Sequence, residues 1–264
     1  MKISAAQIDC TVGDIEANVR KIGDFCSRAK EAGVELVVFP EMADTGYSMP
    51  AIHTHAKPWT DGAVPELRKM AKALSLAIVC GVSERDSDCI YNSQVFIDAK
   101  GEIAGSYRKT HLFAMPPADE QMCFSAGGEF KVFPFGDLRL GLSICYDLRF
   151  PEVYRALAVE QGANVFVISS AWPFPRVEHF RTLAIARAIE NQSYVVAANR
   201  VGTDDGVTCC GSSAIIDPYG VMLASASADR EELVMAEVSP EIINSVRKRM
   251  TVFEHRRDDL YGRR

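Results

Sequence analysis

Residues 138–152 read Leu138-Arg-Leu-Gly-Leu-Ser-Ile-Cys-Tyr-Asp-Leu-Arg-Phe-Pro-Glu152, and the rest of the chain can be organised around them. The apolar first half is typical of a β-strand, whereas Pro151 and Glu152 favour the first turn of a helix. Cys145 therefore falls where a strand ends, near backbone N–H groups that can face a developing negative charge. A nucleophile is useful there. A lone cysteine is more often a small buried hydrophobe, so other residues must decide between the two interpretations.

Length and composition predict an ordinary globular protein. The chain has 264 residues, of which 48% are hydrophobic and 24% charged, and its formal net charge is −6 at pH 7. The acidic balance argues against a nucleic-acid-binding surface. No apolar stretch approaches the length of a membrane span, and the N-terminus turns polar too soon for a signal peptide. We therefore expect one cytoplasmic domain over residues 1–264, with no membrane partner.

The eight cysteines do not form a pattern that predicts zinc or disulfides. They are scattered mostly through apolar segments, without Cys-x-x-Cys pairs or matching histidine spacing. Cys209 and Cys210 are the only close pair, and adjacent cysteines rarely bridge. We interpret them as structural thiols in a reducing compartment.

Hydrophobic periodicity predicts alternating strands and helices in each half of the chain, joined by hairpins. This pattern favours an α/β fold of two sheets packed face to face with helices outside. Two longer segments, 42–58 and 111–128, are expected to be loops. The predicted strands span 2–9, 34–40, 76–81, 91–98, 102–108, 131–135, 138–144, 163–169, 193–200, 212–217, 221–225 and 232–238, and the predicted helices span 14–33, 65–74, 151–161, 176–191 and a short segment from 240.

Three chemically reactive residues follow predicted strands. Glu41, Lys109 and Cys145 each lie at a C-terminal strand end, where ligand sites of α/β sheets gather. Together they suffice for covalent acyl transfer: Cys145 as nucleophile, Glu41 as proton acceptor and donor, and Lys109 as a cation that favours the thiolate and stabilises an oxyanion. Taken singly, Glu41 also fits a helix-capping or surface acid, and Lys109 a solvated strand end.

Three ordered segments resemble the signature motifs of the nitrilase superfamily of carbon–nitrogen hydrolases. They are Phe39-Pro-Glu-Met-Ala-Asp-Thr-Gly-Tyr47, Tyr107-Arg-Lys-Thr-His-Leu-Phe113 and Ser143-Ile-Cys-Tyr-Asp-Leu-Arg-Phe-Pro-Glu152. The resemblance extends to Ala186-Arg-Ala-Ile-Glu-Asn191 and His255-Arg-Arg-Asp-Asp-Leu-Tyr261, and so covers nearly the whole chain. It implies a four-layer α-β-β-α sandwich.

The same resemblance implies a Glu-Lys-Cys triad at Glu41, Lys109 and Cys145. Many members carry a second glutamate after the lysine; Glu120 matches that position, with an exposed loop acid as the alternative. The implied reaction passes through a cysteine thioester, with the oxyanion held by Lys109 and the backbone N–H of Tyr146. No metal or organic cofactor is expected.

Further sequence similarity to individual branches of the superfamily indicates the class of substrate. Ser169-Ser-Ala-Trp-Pro173 and the context of Cys145 resemble the small-amidase branches, including ω-amidases and deaminated-glutathione amidases, which act on ω-amides of dicarboxylic or 2-oxo acids. A cation is then needed for the distal carboxylate. The candidates are Arg149, Arg176 and Arg181, each with a structural ion pair as the alternative; Tyr47 and Trp172 are candidate pocket walls. Arg187 and Glu190 have the spacing of a structural helical pair.

Other functions stay open at this point. An N-carbamoyl amidohydrolase would use the same nucleophile on a ureido carbonyl, a nitrilase would attack a nitrile, and a silent binding protein could share the fold. The family usually dimerises through the segment after the cysteine and the C-terminal tail. We therefore expect a homodimer or higher oligomer with an interface at helix 151–161 and tail 250–264.

Overall fold

The computed structural model describes residues 1–115 and 118–261. Most of its strands form two six-stranded sheets, and two short hairpins lie outside them. In chain order the strands are β1 (Lys2–Gln7), β2 (Leu36–Val38), β3 (Ala77–Asp86), β4 (Cys89–Ile97), β5 (Ile103–Arg108), β6 (Ala114–Met115), β7 (Ala118–Asp119), β8 (Val132–Phe135), β9 (Leu138–Ile144), β10 (Val165–Ser170), β11 (Tyr194–Asn199), β12 (Thr203–Asp204), β13 (Val207–Thr208), β14 (Ala214–Ile216), β15 (Met222–Ser225) and β16 (Glu232–Glu237).

Seven helices lie among the described residues, and five of them, the first, third, fourth, fifth and sixth in chain order, pack in the cores with the sheets. The seven helices are α1 (Ile15–Glu31), α2 (Met49–His55), α3 (Ala63–Leu74), α4 (Pro151–Arg155), α5 (Val177–Asn191), α6 (Pro240–Arg249) and α7 (Asp258–Tyr261), with 3₁₀ turns at Glu120–Met122 and Cys145–Arg149 and a π-helical turn at Ala156–Glu160. Asp14 caps α1 as predicted, since its side chain accepts a hydrogen bond from the Ala17 N–H.

Each sheet has parallel strands at its centre. The first sheet has the order β16-β1-β2-β3-β4-β5, in which β1, β2 and β3 are parallel. The second has the order β15-β14-β11-β10-β9-β8, in which β9, β10 and β11 are parallel. Parallel strands end at one edge of their sheet, so the segments that follow β2 and β9 are presented at such edges.

Two large hydrophobic cores fill the space between the layers of sheets and helices. Leu36 and Val38 of β2 pack in one core with Leu142 of the second sheet, whereas Val37 packs in the other core, which contains Ile22 of α1. This alternation follows from the two-residue period of a strand. The predicted α-β-β-α sandwich is therefore confirmed.

Several predicted boundaries were wrong. The segment 42–58 was expected to be a loop, but it contains α2, whose first turn carries Pro50; a proline there ends no helix because its missing N–H has no partner in the first turn. Helix 151–161 changes to π-helical hydrogen bonding after Arg155. Tail 250–264 contains α7, while residues 262–264, like 116 and 117 in the loop 111–128, lie outside the described residues.

Within residues 1–115 and 118–261, no helix combines the length and the apolar composition that crossing a membrane requires.

Candidate active site

Cys145 follows β9 directly and has an unusual backbone. Its φ is +44°, in the left-handed region, and such a conformation in a non-glycine residue costs on the order of 1–3 kcal/mol. A 3₁₀ turn, Cys145–Arg149, starts at this residue and forms a sharp bend between β9 and α4, in a segment for which the sequence predicted neither strand nor helix. The bend keeps Cys145 at the end of the strand, and 8% of the residue is exposed.

The carboxylate of Asp147 holds this bend together. It accepts a hydrogen bond from the Ile144 N–H at 2.9 Å and another from the Tyr107 hydroxyl at 2.8 Å. His111 Nδ1 lies 2.9 Å from the same carboxylate, and its ring stacks on Phe150 with centroids 3.9 Å apart. The turn that carries Cys145 is thereby tied to the segment that carries Lys109.

Glu41 lies beyond β2 and is fully buried. Its Oε1 accepts hydrogen bonds from Lys109 Nζ at 2.8 Å and Asn92 Nδ2 at 2.7 Å, and its Oε2 accepts one from the Ala171 N–H at 2.7 Å. Gly81 makes room for this segment, because a Cβ there would lie 2.6 Å from the Glu41 Cα. The carboxylate is therefore held from three sides by groups of both sheets.

Lys109 follows β5 and is 1% exposed. Its ammonium group donates to Glu41 Oε1 and Glu120 Oε1, each at 2.8 Å. Burial alone lowers the pKa of a lysine, but here the charges of Glu120 and Glu41 outweigh burial and raise the pKa of Lys109 above its ordinary value. The raised pKa favours the protonated form of Lys109, which suits stabilisation of an oxyanion and not general-base catalysis.

Glu120, in the 3₁₀ turn after β7, is also fully buried. Its Oε1 accepts hydrogen bonds from Lys109, from the Tyr47 hydroxyl at 2.8 Å and from Asn92 Nδ2 at 3.0 Å, and its Oε2 accepts one from the Phe113 N–H at 2.6 Å. Burial raises the pKa of Glu120, and the Lys109 charge acts against that rise. All four partners donate, an arrangement suited to an ionised carboxylate. The alternative of an exposed loop acid is therefore wrong.

The Lys109 charge lowers the pKa of the Cys145 thiol, as expected, but two other effects are larger. Burial, followed by the charge of Glu41, raises its pKa well above the ordinary value, and the opposing charge of Lys109 is too weak to offset them. The resting cysteine is thus a thiol at neutral pH. It needs a base to become a nucleophile, and Glu41 is the charged group with the largest effect on it.

A cavity of about 210 Å³ opens onto Cys145. All four residues expected to bind substrate line it, namely Tyr47, Tyr146, Arg149 and Trp172, and so does Arg176. Arg181 is not among its lining residues. Pockets for drug-sized ligands have volumes of roughly 300–1,000 Å³, so this cavity suits a smaller molecule.

Sequence reasoning missed Asn92, whose amide links Glu41 to Glu120 from within β4. A signal was available, because asparagine is disfavoured in strands and this one lies two residues after Ile90 on a buried face. The donor on Ala171 could not have been found from residue types, since it is a backbone N–H.

The described residues, 1–115 and 118–261, contain no group of three or more histidine, cysteine, aspartate or glutamate side chains placed to hold a metal ion.

A two-sheet sandwich that places a cysteine at a small cavity, with a lysine and two glutamates buried close behind it, has the features of a thiol-dependent hydrolase. The chain belongs to the carbon–nitrogen hydrolase family, which matches residues 2–248.

Individual relatives are consistent with this assignment. A 2-oxoglutaramate amidase from Bacillus subtilis (strain 168) is 37% identical over 260 residues, which cover 98% of each chain. A deaminated glutathione amidase from Homo sapiens is 32% identical over 275 residues, covering 98% of this chain and 83% of that protein. A solved mutant amidase from Nesterenkonia sp. AN1, with acrylamide added at its active-site cysteine, has 26% identity and a TM-score of 0.84, covering 96% of this chain and 99% of that one.

Proposed function

We propose that this protein is a thiol amidohydrolase that cleaves the terminal amide of a small carboxylic acid and releases ammonia. The observation that carries the proposal is the position of Cys145 at a small cavity, beside the buried cluster of Glu41, Lys109 and Glu120. A thiol with a raised pKa, a carboxylate and a fixed cation are the components that acyl transfer requires.

In the first half of the cycle, Glu41 takes the proton of the Cys145 thiol while the sulfur attacks the amide carbon. The carbonyl oxygen becomes an oxyanion, stabilised by Lys109 and by the backbone N–H of Tyr146. Two protons of the Lys109 ammonium already bond to glutamates, and among the described residues the third has no acceptor, which leaves it for the oxyanion. Glu41 then protonates the departing nitrogen, the C–N bond breaks, and ammonia leaves behind a thioester.

In the second half, water attacks the thioester. Glu41, again ionised, removes a proton from the water, and the same oxyanion donors stabilise the second tetrahedral intermediate. The C–S bond breaks, the sulfur recovers its proton from Glu41, and the carboxylic acid leaves. We assign Glu120 the role of holding Lys109, because its carboxylate accepts a hydrogen bond from the ammonium and is itself fixed by donors from Tyr47, Asn92 and the Phe113 N–H.

We infer that the substrate is an ω-amide of a dicarboxylic or 2-oxo acid. The 2-oxoglutaramate amidase and the deaminated glutathione amidase among the relatives support this class. The cavity supports it too, since it combines apolar walls with arginines.

Ammonia release from matched compounds tests this proposal. We expect 2-oxoglutaramate and succinamate to be hydrolysed with kcat/KM at least about tenfold above that of N-carbamoyl amino acids or nitriles, because even modest differences in transition-state contacts of 1–3 kcal/mol give such ratios. Turnover of ureido compounds or nitriles alone would contradict the amide assignment. Inactivity towards every compound would favour a silent binding protein.

We further propose a cytoplasmic, single-domain protein that forms homodimers through α4, the following π-helical turn and the C-terminal tail. All eight cysteines are unpaired, which suits a reducing compartment. Phe253 of the tail lies under the guanidinium groups of Arg155 and Arg247, so the tail is anchored beside α4. Sedimentation of an active protein as a monomer would contradict the dimer.

A further inference from the structure

Asn92 lies opposite Lys109 in the first sheet. The register of β4 and β5 pairs Ser93 with Arg108, and one position further the Lys109 N–H donates to the Asn92 carbonyl at 2.8 Å. Opposite positions of antiparallel strands place their side chains on one face of the sheet. The sheet therefore presents two buried donor groups side by side, one a charged ammonium and the other a neutral amide.

These two donors share the same pair of acceptors. Asn92 Nδ2 donates to Glu41 Oε1 at 2.7 Å and to Glu120 Oε1 at 3.0 Å. Lys109 Nζ donates to the same two oxygens, each at 2.8 Å. A carboxylate oxygen has about two lone-pair sites. Both sites of Glu41 Oε1 are thus occupied, and this oxygen cannot take a proton without losing a hydrogen bond.

The other oxygen of Glu41 lies on the side of the nucleophile. Glu41 Oε2 accepts a hydrogen bond from the Ala171 N–H at 2.7 Å, and Ala171 lines the cavity together with Cys145. Burial, and then the Glu41 charge, raises the pKa of Cys145, and a hydrogen bond from the Ala171 backbone acts against that rise. Since the same N–H faces both groups, Oε2 is the oxygen of Glu41 that lies beside the sulfur.

Asn92 reduces the stability of the fold in return for its two amide hydrogens. Asparagine is disfavoured in strands. Its Oδ1 is buried and has no hydrogen-bond partner within residues 1–115 and 118–261, which costs free energy. The reverse orientation of the amide would be worse, because its oxygen would then face two carboxylates. As a neutral donor, Asn92 also leaves unchanged the charge of the cluster that Lys109 forms with the two glutamates.

We propose that Asn92 is a positioning residue, which together with Lys109 occupies Glu41 Oε1 and so reserves Oε2 for proton exchange with Cys145. When the sulfur attacks, the S–H bond breaks and its proton bonds to Oε2. The electron pair of the sulfur forms the C–S bond to the amide carbon, whose π electrons move onto the carbonyl oxygen. This inference rests on the proposed function, and Asn92 acts through Glu41, because both of its amide hydrogens are bonded to glutamates.

Asn92→Ala tests the role through the separate effects on kcat and KM for succinamate. We expect kcat to fall roughly 10- to 100-fold, since the lost hydrogen bonds are to charged groups. KM should stay within about threefold, because the loss acts on the proton transfer.

Gln94→Ala is the matched control for Asn92→Ala. Gln94 is also a fully buried amide of β4, but its Nε2 donates to Ser169 Oγ at 2.8 Å and to the Val167 carbonyl at 3.5 Å. We expect kcat of this variant to stay within about threefold of the native value. An unchanged kcat in Asn92→Ala, or an equal fall in the control, overturns the proposal.

Asn92→Asp distinguishes the amide hydrogens from the shape of the side chain. The two side chains have nearly the same size, but an ionised carboxylate donates no hydrogen bond and brings a third negative charge to the cluster. We therefore expect kcat to fall at least as far as in Asn92→Ala. If kcat of Asn92→Asp stays within about threefold of the native value, donation by Asn92 is not needed and the proposal is wrong.

Alkylation of Cys145 by iodoacetamide, followed by peptide mass spectrometry, needs no amide turnover. The thiol must lose its proton to react, so we expect alkylation to slow at least about fivefold in Asn92→Ala. Alkylation of Cys89, a partly exposed thiol, should keep its rate.

The two measurements separate this proposal from the amidase function. If no amide is hydrolysed, but alkylation of Cys145 slows in Asn92→Ala and not in Gln94→Ala, the positioning role stands and the amidase function fails. If amides are hydrolysed, and neither kcat nor the alkylation rate changes in Asn92→Ala, the amidase function stands and the positioning role fails.

Discussion

Replacing Cys145 with alanine will reduce ammonia release by a factor on the order of 10⁵ or more, because the thioester cannot form without the sulfur and the remaining oxyanion donors give only residual catalysis. Steady-state and single-turnover measurements with a good amide substrate provide the test. The fold should survive, because the substitution removes only one sulfur atom from a buried side chain. Thermal unfolding of the variant checks that expectation.

Cys209→Ala is the matched control for Cys145→Ala. Cys209 is also a buried, unpaired thiol, but it does not line the cavity. We expect its activity to stay within about threefold of the native protein. Turnover above about one per cent of the native rate in Cys145→Ala would contradict a covalent mechanism at this residue.

Replacing Lys109 with methionine will damage both activity and stability. The ammonium is the cation between Glu41 and Glu120, and without it two carboxylates stay buried beside each other. Removing one partner of a buried ion pair costs about 3–5 kcal/mol of unfolding free energy. Losing an oxyanion donor lowers kcat by a further factor of about 10²–10³. Urea unfolding and kcat measurements record the two effects separately.

A double substitution distinguishes charge from packing at Lys109. Lys109→Met with Glu120→Gln removes one of the stranded carboxylates, so it should recover at least about 1 kcal/mol relative to Lys109→Met while staying inactive. Lys131→Met is the surface control: its partner Glu129 lies at 2.6 Å, but both side chains are partly exposed, so the loss should stay below about 1 kcal/mol. If the double variant is no more stable than the single one, the electrostatic account of the cluster is wrong.

Much of the fold could be predicted because strand and helix periodicities are local properties. Strand β9 was predicted with its observed bounds, 138–144, since turn residues precede it and apolar residues fill it. Helix α2 was not predicted because it contains a proline, which usually indicates a loop. In α2 the proline lies in the first turn, where a helix tolerates it. The residue types after Arg155 do not indicate the change from α-helical to π-helical hydrogen bonding.

The candidate site was predictable in its members but not in its electrostatics. Glu41, Lys109 and Cys145 could be grouped because strand ends meet in a layered fold. The raised pKa of the thiol could not, because it depends on the balance between burial, the Glu41 charge and the Lys109 charge. The presence of both Arg149 and Arg176 in the lining of one cavity likewise required three dimensions, since the two residues lie far apart in the sequence.

The left-handed backbone of Cys145 lowers the stability of the folded protein at the residue that the proposed reaction requires. Glycine adopts a φ of +44° without steric cost, so selection for stability alone would place glycine at this turn. Cysteine there makes the folded state less stable than it could be, and the loss must be offset by packing elsewhere. Substitutions of neighbouring residues that let the backbone of Cys145 leave the left-handed region should therefore raise thermal stability while the cysteine itself is kept.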